Sequence, residues 1–325
     1  MPSLKTSSKA VINLVPPNLC PTMTQPSFFI VGAPKCGTTA LSKYLNGHPE
    51  IFIPEQKELH FFDTDLKTPE RAKTLDHYLG LFASGVDKIC GEGTTTYLYS
   101  KTAAQEIYRF NPKAKIIIML REPVEMMYSF HSQLLFNGSS ETVDDFKEAI
   151  ALESARKAGH QIPARCSEPS LLFYRDLAKF SDQVHRYLDI FGPEQVKILL
   201  FREFTDNTAI AFRNILEFIG ADPNFEIEFV RMNSNKKVRN KTIQALVKYP
   251  PSRILEIGKY FIPLPQSQRR QLLEWVKQQI GRVNTQQATR PTLDPSLRTQ
   301  LAQELRPDIQ KLSQLINRDL SHWYA

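Results

Sequence analysis

Cysteine is scarce in this 325-residue chain. The four present, Cys20, Cys36, Cys90 and Cys166, lie far apart and form no CxxC pair. That spacing argues against a disulfide framework or a zinc site and predicts a protein of a reducing cytoplasm. Long apolar runs are missing as well. None approaches the ~20 residues that cross a bilayer, and the patch at residues 10–15 is cut off by Pro16 and Pro17 before it could serve as a secretory core. The first 26 residues therefore read as a flexible leader, and residues 27–325 as one soluble domain without a membrane span. No run of five Lys or Arg occurs, so the sequence lacks the basic stripe of a nucleic-acid binder. Its net charge of +7 is mild for this length; it suits a small polyanionic ligand equally well, or carries no message at all. Internal repeats and low-complexity segments are absent too, and nothing in the sequence sets the oligomeric state.

What is present is ordinary for a globular protein, with 42% hydrophobic and 23% charged residues in a chain long enough to bury a large core. Residues 28–31 form an apolar run ending at Gly32, the mark of a buried strand, and Ala40, Leu41, Tyr44 and Leu45 then follow helical spacing. Short strands are predicted at 51–53 and 89–91, and helices over 71–82 and 102–110. Residues 115–120 contain the best buried strand, followed by Pro123 in a position suited to a first helical turn. A long amphipathic helix is predicted over 171–191, a strand over 196–201 and a helix over 207–219 closed by Gly220. The remainder reads as helical, interrupted at Pro250-Pro251, Pro263, Pro265 and Pro291. Strands alternating with helices predict an α/β fold, a mainly parallel sheet with helices on both faces and a helical C-terminal part.

Between the first strand and its helix stands Gly32-Ala33-Pro34-Lys35-Cys36-Gly37-Thr38-Thr39-Ala40-Leu41. Glycines let the backbone turn tightly, the first helical N–H groups face outward, and Lys35, Thr38 and Thr39 add a charge and two hydroxyls. Together these predict an anion site. The two glycines have Walker A spacing, but Thr38 occupies the place of the Walker lysine, and Lys35 lies before the second glycine. The 115–120 strand ends in Arg121 rather than an aspartate that could serve magnesium. A nucleoside triphosphatase would lack both its lysine and its metal carboxylate.

Three segments in order resemble the sulfotransferase family that uses 3′-phosphoadenosine 5′-phosphosulfate (PAPS), especially its bacterial and heparan-sulfate branch. Residues 29–41, FIVGAPKCGTTAL, resemble the 5′-phosphosulfate loop; residues 120–129, LREPVEMMYS, resemble the 3′-phosphate motif; and residues 48–63, HPEIFIPEQKELHFFD, resemble the segment that carries the general base. The stretches Arg306-Pro307-Asp308-Ile309 and Asp319-Leu320-Ser321-His322-Trp323 add a fainter likeness to bacterial members. The resemblance implies a P-loop-type sheet and PAPS as donor, without a metal. It gives the 5′ end of the donor to Lys35, Cys36, Gly37, Thr38, Thr39 and Ala40, and the 3′-phosphate to Arg121 and Ser129. An arginine fork and a hydroxyl are good partners for a terminal phosphate.

Sulfuryl transfer requires a base for the acceptor proton and a cation for the leaving phosphate. The resemblance assigns these to Glu58 and Lys35, with His60 as helper. In an extended segment Glu58 and His60 share a side, and Leu59, Phe61 and Phe62 are expected to desolvate the carboxylate and raise its pKa. A surface pair between Lys57 and Glu58 is the plainer alternative. The basic stretch 231–241, including Lys237 and Arg239, reads either as a flap over the 3′-phosphate or as a solvated loop. Phe62, Tyr97 and Tyr174 are candidate acceptor contacts, although core packing accounts for them nearly as well. Heparan-sulfate enzymes carry a lysine where this chain has Gly93, which weakens the case for a highly anionic acceptor. A small molecule, lipid or carbohydrate bearing a hydroxyl or amine remains open. The competing readings are a P-loop kinase or NTPase, and a protein that binds adenosine bisphosphate without catalysis.

Overall fold

The computed structural model describes residues 24–68, 72–138, 140–230, 236–240 and 290–325, with 272, 275–276, 279–280 and 283–287 between the last two. In chain order the elements are β1 (Phe28–Gly32), α1 (Thr38–Asn46), β2 (Ile51–Phe52), α2 (Leu75–Gly80), β3 (Ile89–Gly93), α3 (Ala103–Phe110) and β4 (Lys115–Leu120). There follow α4 (Pro123–Asn137), α5 (Phe146–Ala151), α6 (Glu153–Lys157), α7 (Tyr174–Leu177), α8 (Phe180–Phe191), β5 (Val196–Leu200), α9 (Phe201–Asp206) and α10 (Thr208–Ile219). The short strands β6 (Lys236–Val238) and β7 (Thr285–Gln287) precede the last helix, α11 (Pro295–Ile316). These residues group into two compact units, one ending at Arg121 and resuming over Ser181–Phe229, the other formed by Glu122–Phe180 and Val230–Ala325.

The first unit holds a five-stranded sheet in the order β2-β3-β1-β4-β5, with every pairing parallel. Parallel strands are buried on both faces and therefore read as unbroken apolar runs. β1 is buried along its whole length, and β4 from Ile116 to Leu120 is fully inaccessible. Because β1 lies between β3 and β4, the carboxyl ends of three neighbouring strands open on one edge, the place where open α/β sheets bind ligands. Behind β1, Phe29, Phe61, Phe62, Tyr78, Phe82, Tyr97 and Phe110 form an aromatic core. Phe61 stacks on Tyr78 at 4.3 Å and Phe62 meets Phe29, Tyr97 and Phe110 at 5.3 to 5.8 Å.

In the second unit a buried ion pair fixes the irregular segments. Arg156 donates through both terminal nitrogens to Glu141 at 2.7 and 2.8 Å, and the Tyr174 hydroxyl adds a third bond at 2.7 Å. Glu153 takes the Arg175 guanidinium and backbone N–H, and the same guanidinium reaches Glu304 on α11.

Two expectations from periodicity change here. The single helix predicted over 171–191 is a 3₁₀ turn at Pro169–Leu172 followed by α7 and α8, with Phe173 outside the helical region at φ −95°, ψ 72°. Leu172, Tyr174, Leu177, Ala178 and Phe180 are all buried, so the apolar spacing continues across breaks imposed by the bonds of Tyr174 and Arg175. The helix predicted over 71–82 starts only at Leu75, where the Thr74 hydroxyl accepts the His77 N–H and caps it. In the basic stretch, residues 236–238 form β6, which pairs antiparallel with β7 and sets Lys237 opposite Gln286. A strand thus replaces the expected loop there. Residues 231–235 and 241 lie outside the described residues, as do Pro250-Pro251, Pro263 and Pro265.

Candidate active site

The anion loop leaves the carboxyl end of β1 and enters α1 through Gly37, which sits at φ 91° and ψ 3°, a left-handed conformation that favours glycine. No side chain caps α1, and its first turn contains no acidic residue. The helix thus presents N–H groups that lack intrahelical partners, together with the positive end of its dipole. At the root of the loop Gly32 has φ 151°, and an added Cβ would lie 2.6 Å from Leu98 Cβ and 2.7 Å from the Thr95 carbonyl. The loop is therefore packed directly on the segment after β3.

Lys35 is half-buried at φ 63° on this loop, and Cys36 beneath it is fully buried. Burial pushes the Cys36 thiol up to about 12 against the opposing charge of Arg121, so this sulfur is a packing group rather than a nucleophile. Thr38 is buried and Thr39 exposed. Arg121, at the end of β4, donates to the Lys35 carbonyl at 3.4 Å and lies over the Phe201 ring at 4.8 Å. Phe201 also underlies the loop, since a Cβ on Gly37 would meet that ring at 3.2 Å. One aromatic floor thus supports both the loop and the arginine.

The end of β3 supplies the residue that holds the carboxylate of Glu58. Thr95 grips Glu58 through its hydroxyl, 2.9 Å from both carboxylate oxygens, and through its backbone N–H at 3.3 Å. His60 faces the same carboxylate, Nε2 to Oε2 at 4.0 Å, while its Nδ1 lies 2.8 Å from the Oδ2 of fully buried Asp63. Thr96 donates to the same Asp63 oxygen at 2.7 Å. Burial pulls the His60 pKa down, but the hydrogen bond and charge of Asp63, with Glu58 and Glu92 beyond, prevail and hold it above the ordinary value.

Glu92 anchors this arrangement from inside. It accepts from the hydroxyls of Tyr78, Tyr97 and Thr94. Two of those hydroxyls in turn accept backbone N–H groups of the base-bearing segment: Thr94 that of Leu59 at 3.0 Å, and Tyr97 those of Phe61 and Phe62 at 2.9 and 3.3 Å. Burial pushes the Glu92 carboxyl up to about 7, against the three hydroxyls and with help from the charge of Asp63.

The first unit therefore brings together Lys35, the loop through Ala40, Glu58, His60 and Arg121. The half-buried Ser129 on α4, Lys237 in β6 and the exposed Arg239, whose N–H bonds the Asn284 carbonyl at 2.8 Å, belong to the second unit. The three candidate acceptor contacts are all buried. Phe62 and Tyr97 are buried in the aromatic core, and Tyr174 is buried with its hydroxyl committed to Glu141. Leu59, Phe61 and Phe62 likewise pack inward instead of walling Glu58, which is held by Thr95. The support that Thr95, Asp63 and Glu92 give to the carboxylate and the imidazole does not follow from the sequence pattern. The visible clue was the run Thr94-Thr95-Thr96, three hydroxyls whose partners only the fold supplies.

A parallel sheet whose strand ends join an uncapped helix, loop cations and a held carboxylate could hold an anionic group beside a base. Residues 25–261 match the family model described as sulfotransferase domain, and the chain belongs to that family. Mouse (Mus musculus) carbohydrate sulfotransferase 15 is 27% identical over 252 residues, 61% of this chain and 44% of that protein. The human (Homo sapiens) bifunctional heparan sulfate N-deacetylase/N-sulfotransferase 2 is 26% identical over 208 residues, 61% of this chain and 22% of that protein. The chain thus spans less than half the length of these curated relatives. A crystal structure of a sulfotransferase from Alicyclobacillus acidocaldarius superimposes with a TM-score of 0.66 at 31% identity, covering 93% of this chain and all of that one. Among the described residues no helix is long and apolar enough to cross a membrane, and no group of three or more His, Cys, Asp or Glu could hold a metal ion.

Proposed function

We propose that the protein transfers a sulfuryl group from PAPS to a hydroxyl or amine. The observation that carries this reading is the meeting, at one sheet edge, of the uncapped α1 N-terminus with Glu58 held by Thr95. The residues fit the donor, since Gly37 has no capping competitor for an anion and both threonine hydroxyls lie in the first turn. PAPS supplies an activated sulfuryl group, whose bond to the 5′-phosphate oxygen breaks as a bond to the acceptor forms. Lys35 meets the negative charge that develops on the leaving phosphate. Glu58 accepts the acceptor's proton, and His60, fixed by Asp63, positions the carboxylate. Arg121 takes the 3′-phosphate, its guanidinium braced by Phe201. The names of the relatives support a carbohydrate as the acceptor's carrier.

Transfer of labelled sulfate from PAPS to a panel of sugars, lipids and phenols tests this reading. Glu58→Gln should retain binding of adenosine 3′,5′-bisphosphate while turnover falls by ~10²–10⁴. Loss of binding together with turnover would remove Glu58 from the role of base.

A further inference from the structure

Lys57 belongs to the base-bearing segment, yet its side chain goes elsewhere. The ammonium lies 3.3 Å from the Thr38 hydroxyl and 3.2 Å from that of Thr39, the first two residues of α1. Glu58, the neighbouring acid, is turned to Thr95, and among the described residues Lys57 makes no ion pair. The alternative of a Lys57–Glu58 surface pair is therefore not formed.

The stem reaches the loop through a gap left by Gly93. A Cβ there would stand 3.2 Å from Lys57 Cε and 3.1 Å from the Ser42 hydroxyl, so any side chain at this position would crowd the path. The destination is unfavourable for a cation. It is half-buried, and burial lowers the Lys57 pKa with Glu58 opposing. It also faces the positive end of the α1 dipole, where no acid and no cap offset the charge. A cation held against a bare helix N-terminus becomes favourable once an anion sits between them.

An ammonium group only donates, whereas a hydroxyl donates one proton and accepts through two lone pairs. With Lys57 as donor, each threonine oxygen is an acceptor, and each hydroxyl proton is left for a different partner. We propose that Lys57 is a positioning residue of the anion loop, holding the Thr38 and Thr39 hydroxyls so that their protons point at the 5′ anion of the donor; this rests on the PAPS reading above. Lys57 thus acts through the two threonines, while Lys35 meets the leaving phosphate directly.

The test compares adenosine 3′,5′-bisphosphate with adenosine 3′-monophosphate, which lacks the 5′ anion, by titration calorimetry on the full chain. Lys57→Met should weaken bisphosphate binding by about tenfold to a hundredfold, the range of a lost charge-assisted hydrogen bond, and leave the monophosphate unchanged. Lys57→Arg should recover most of the loss. Thr38→Val with Thr39→Val should cost the unaltered protein about tenfold, yet little in the Lys57→Met background, because both changes break one arrangement. Equal weakening of both nucleotides would reduce Lys57 to a structural role and overturn the proposal. Unchanged bisphosphate affinity, or losses that simply add, would overturn it while leaving the PAPS reading in place. Failure of the unaltered protein to bind the bisphosphate would remove both.

Discussion

Replacing Glu92 by Gln should change how stability depends on pH more than it changes stability itself. The carboxyl is almost completely buried, and ionisation at about 7 rather than 4.5 means that the fold holds its proton more tightly than the unfolded chain does. Between those two values the folded state binds more protons, so stability falls as pH rises. The contribution is complete below pH 4.5 and lost above about 7, a difference of about 3 kcal/mol. An amide cannot titrate. It fills the same space, and the Tyr78 hydroxyl can turn to accept from it, so the packing cost stays small. Urea unfolding of the full chain at pH 5, 6, 7 and 8 would measure the gap between the two proteins. Glu92→Gln should be the less stable at pH 5 and should overtake the unaltered chain toward pH 8. His60, whose raised pKa also gives stability that is lost as pH rises, is present in both proteins and largely cancels from the gap. A gap that stays constant across the series would refute the assignment of a buried, near-neutral carboxyl at Glu92.

Asp63→Asn should cut turnover by about a hundredfold, and it should move the pH limb governed by His60 to lower pH, because the charge and hydrogen bond that raise its pKa are gone; an unmoved profile would remove Asp63 as the positioning group. Cys36 should resist thiol reagents in the folded protein and react only on unfolding, as mass mapping after brief alkylation would show. Arg156→Met should cost about 3–5 kcal/mol in urea unfolding by leaving the Glu141 carboxylate buried and uncompensated, and adding Glu141→Gln should restore much of it.

The sheet was legible because parallel strands must be apolar on both faces. Residues 28–32 and 115–120 could be little else, and the glycine-threonine turn after the first could hardly avoid making an uncapped helix start. The candidate site was legible where a residue sits within a motif, as at Lys35, Glu58 and Arg121. It was hidden where the chemistry depends on partners far apart in sequence. Thr95 clasps Glu58 across 37 positions, and Lys57 reaches Thr39 across 18. Tyr97 and Tyr174 were ambiguous for a related reason. A tyrosine in a sequence shows an aromatic face and a hydroxyl, but only the fold shows that Glu92 and Glu141 have already taken the hydroxyls.

The most direct test of the account is a nucleotide comparison by thermal unfolding without divalent metal. Adenosine 3′,5′-bisphosphate at about a hundred times its dissociation constant should stabilise the protein by ~2.7 kcal/mol, ADP should do far less, and Arg121→Ala should erase the difference. Equal stabilisation by ADP, or a response that survives the loss of Arg121, would contradict it.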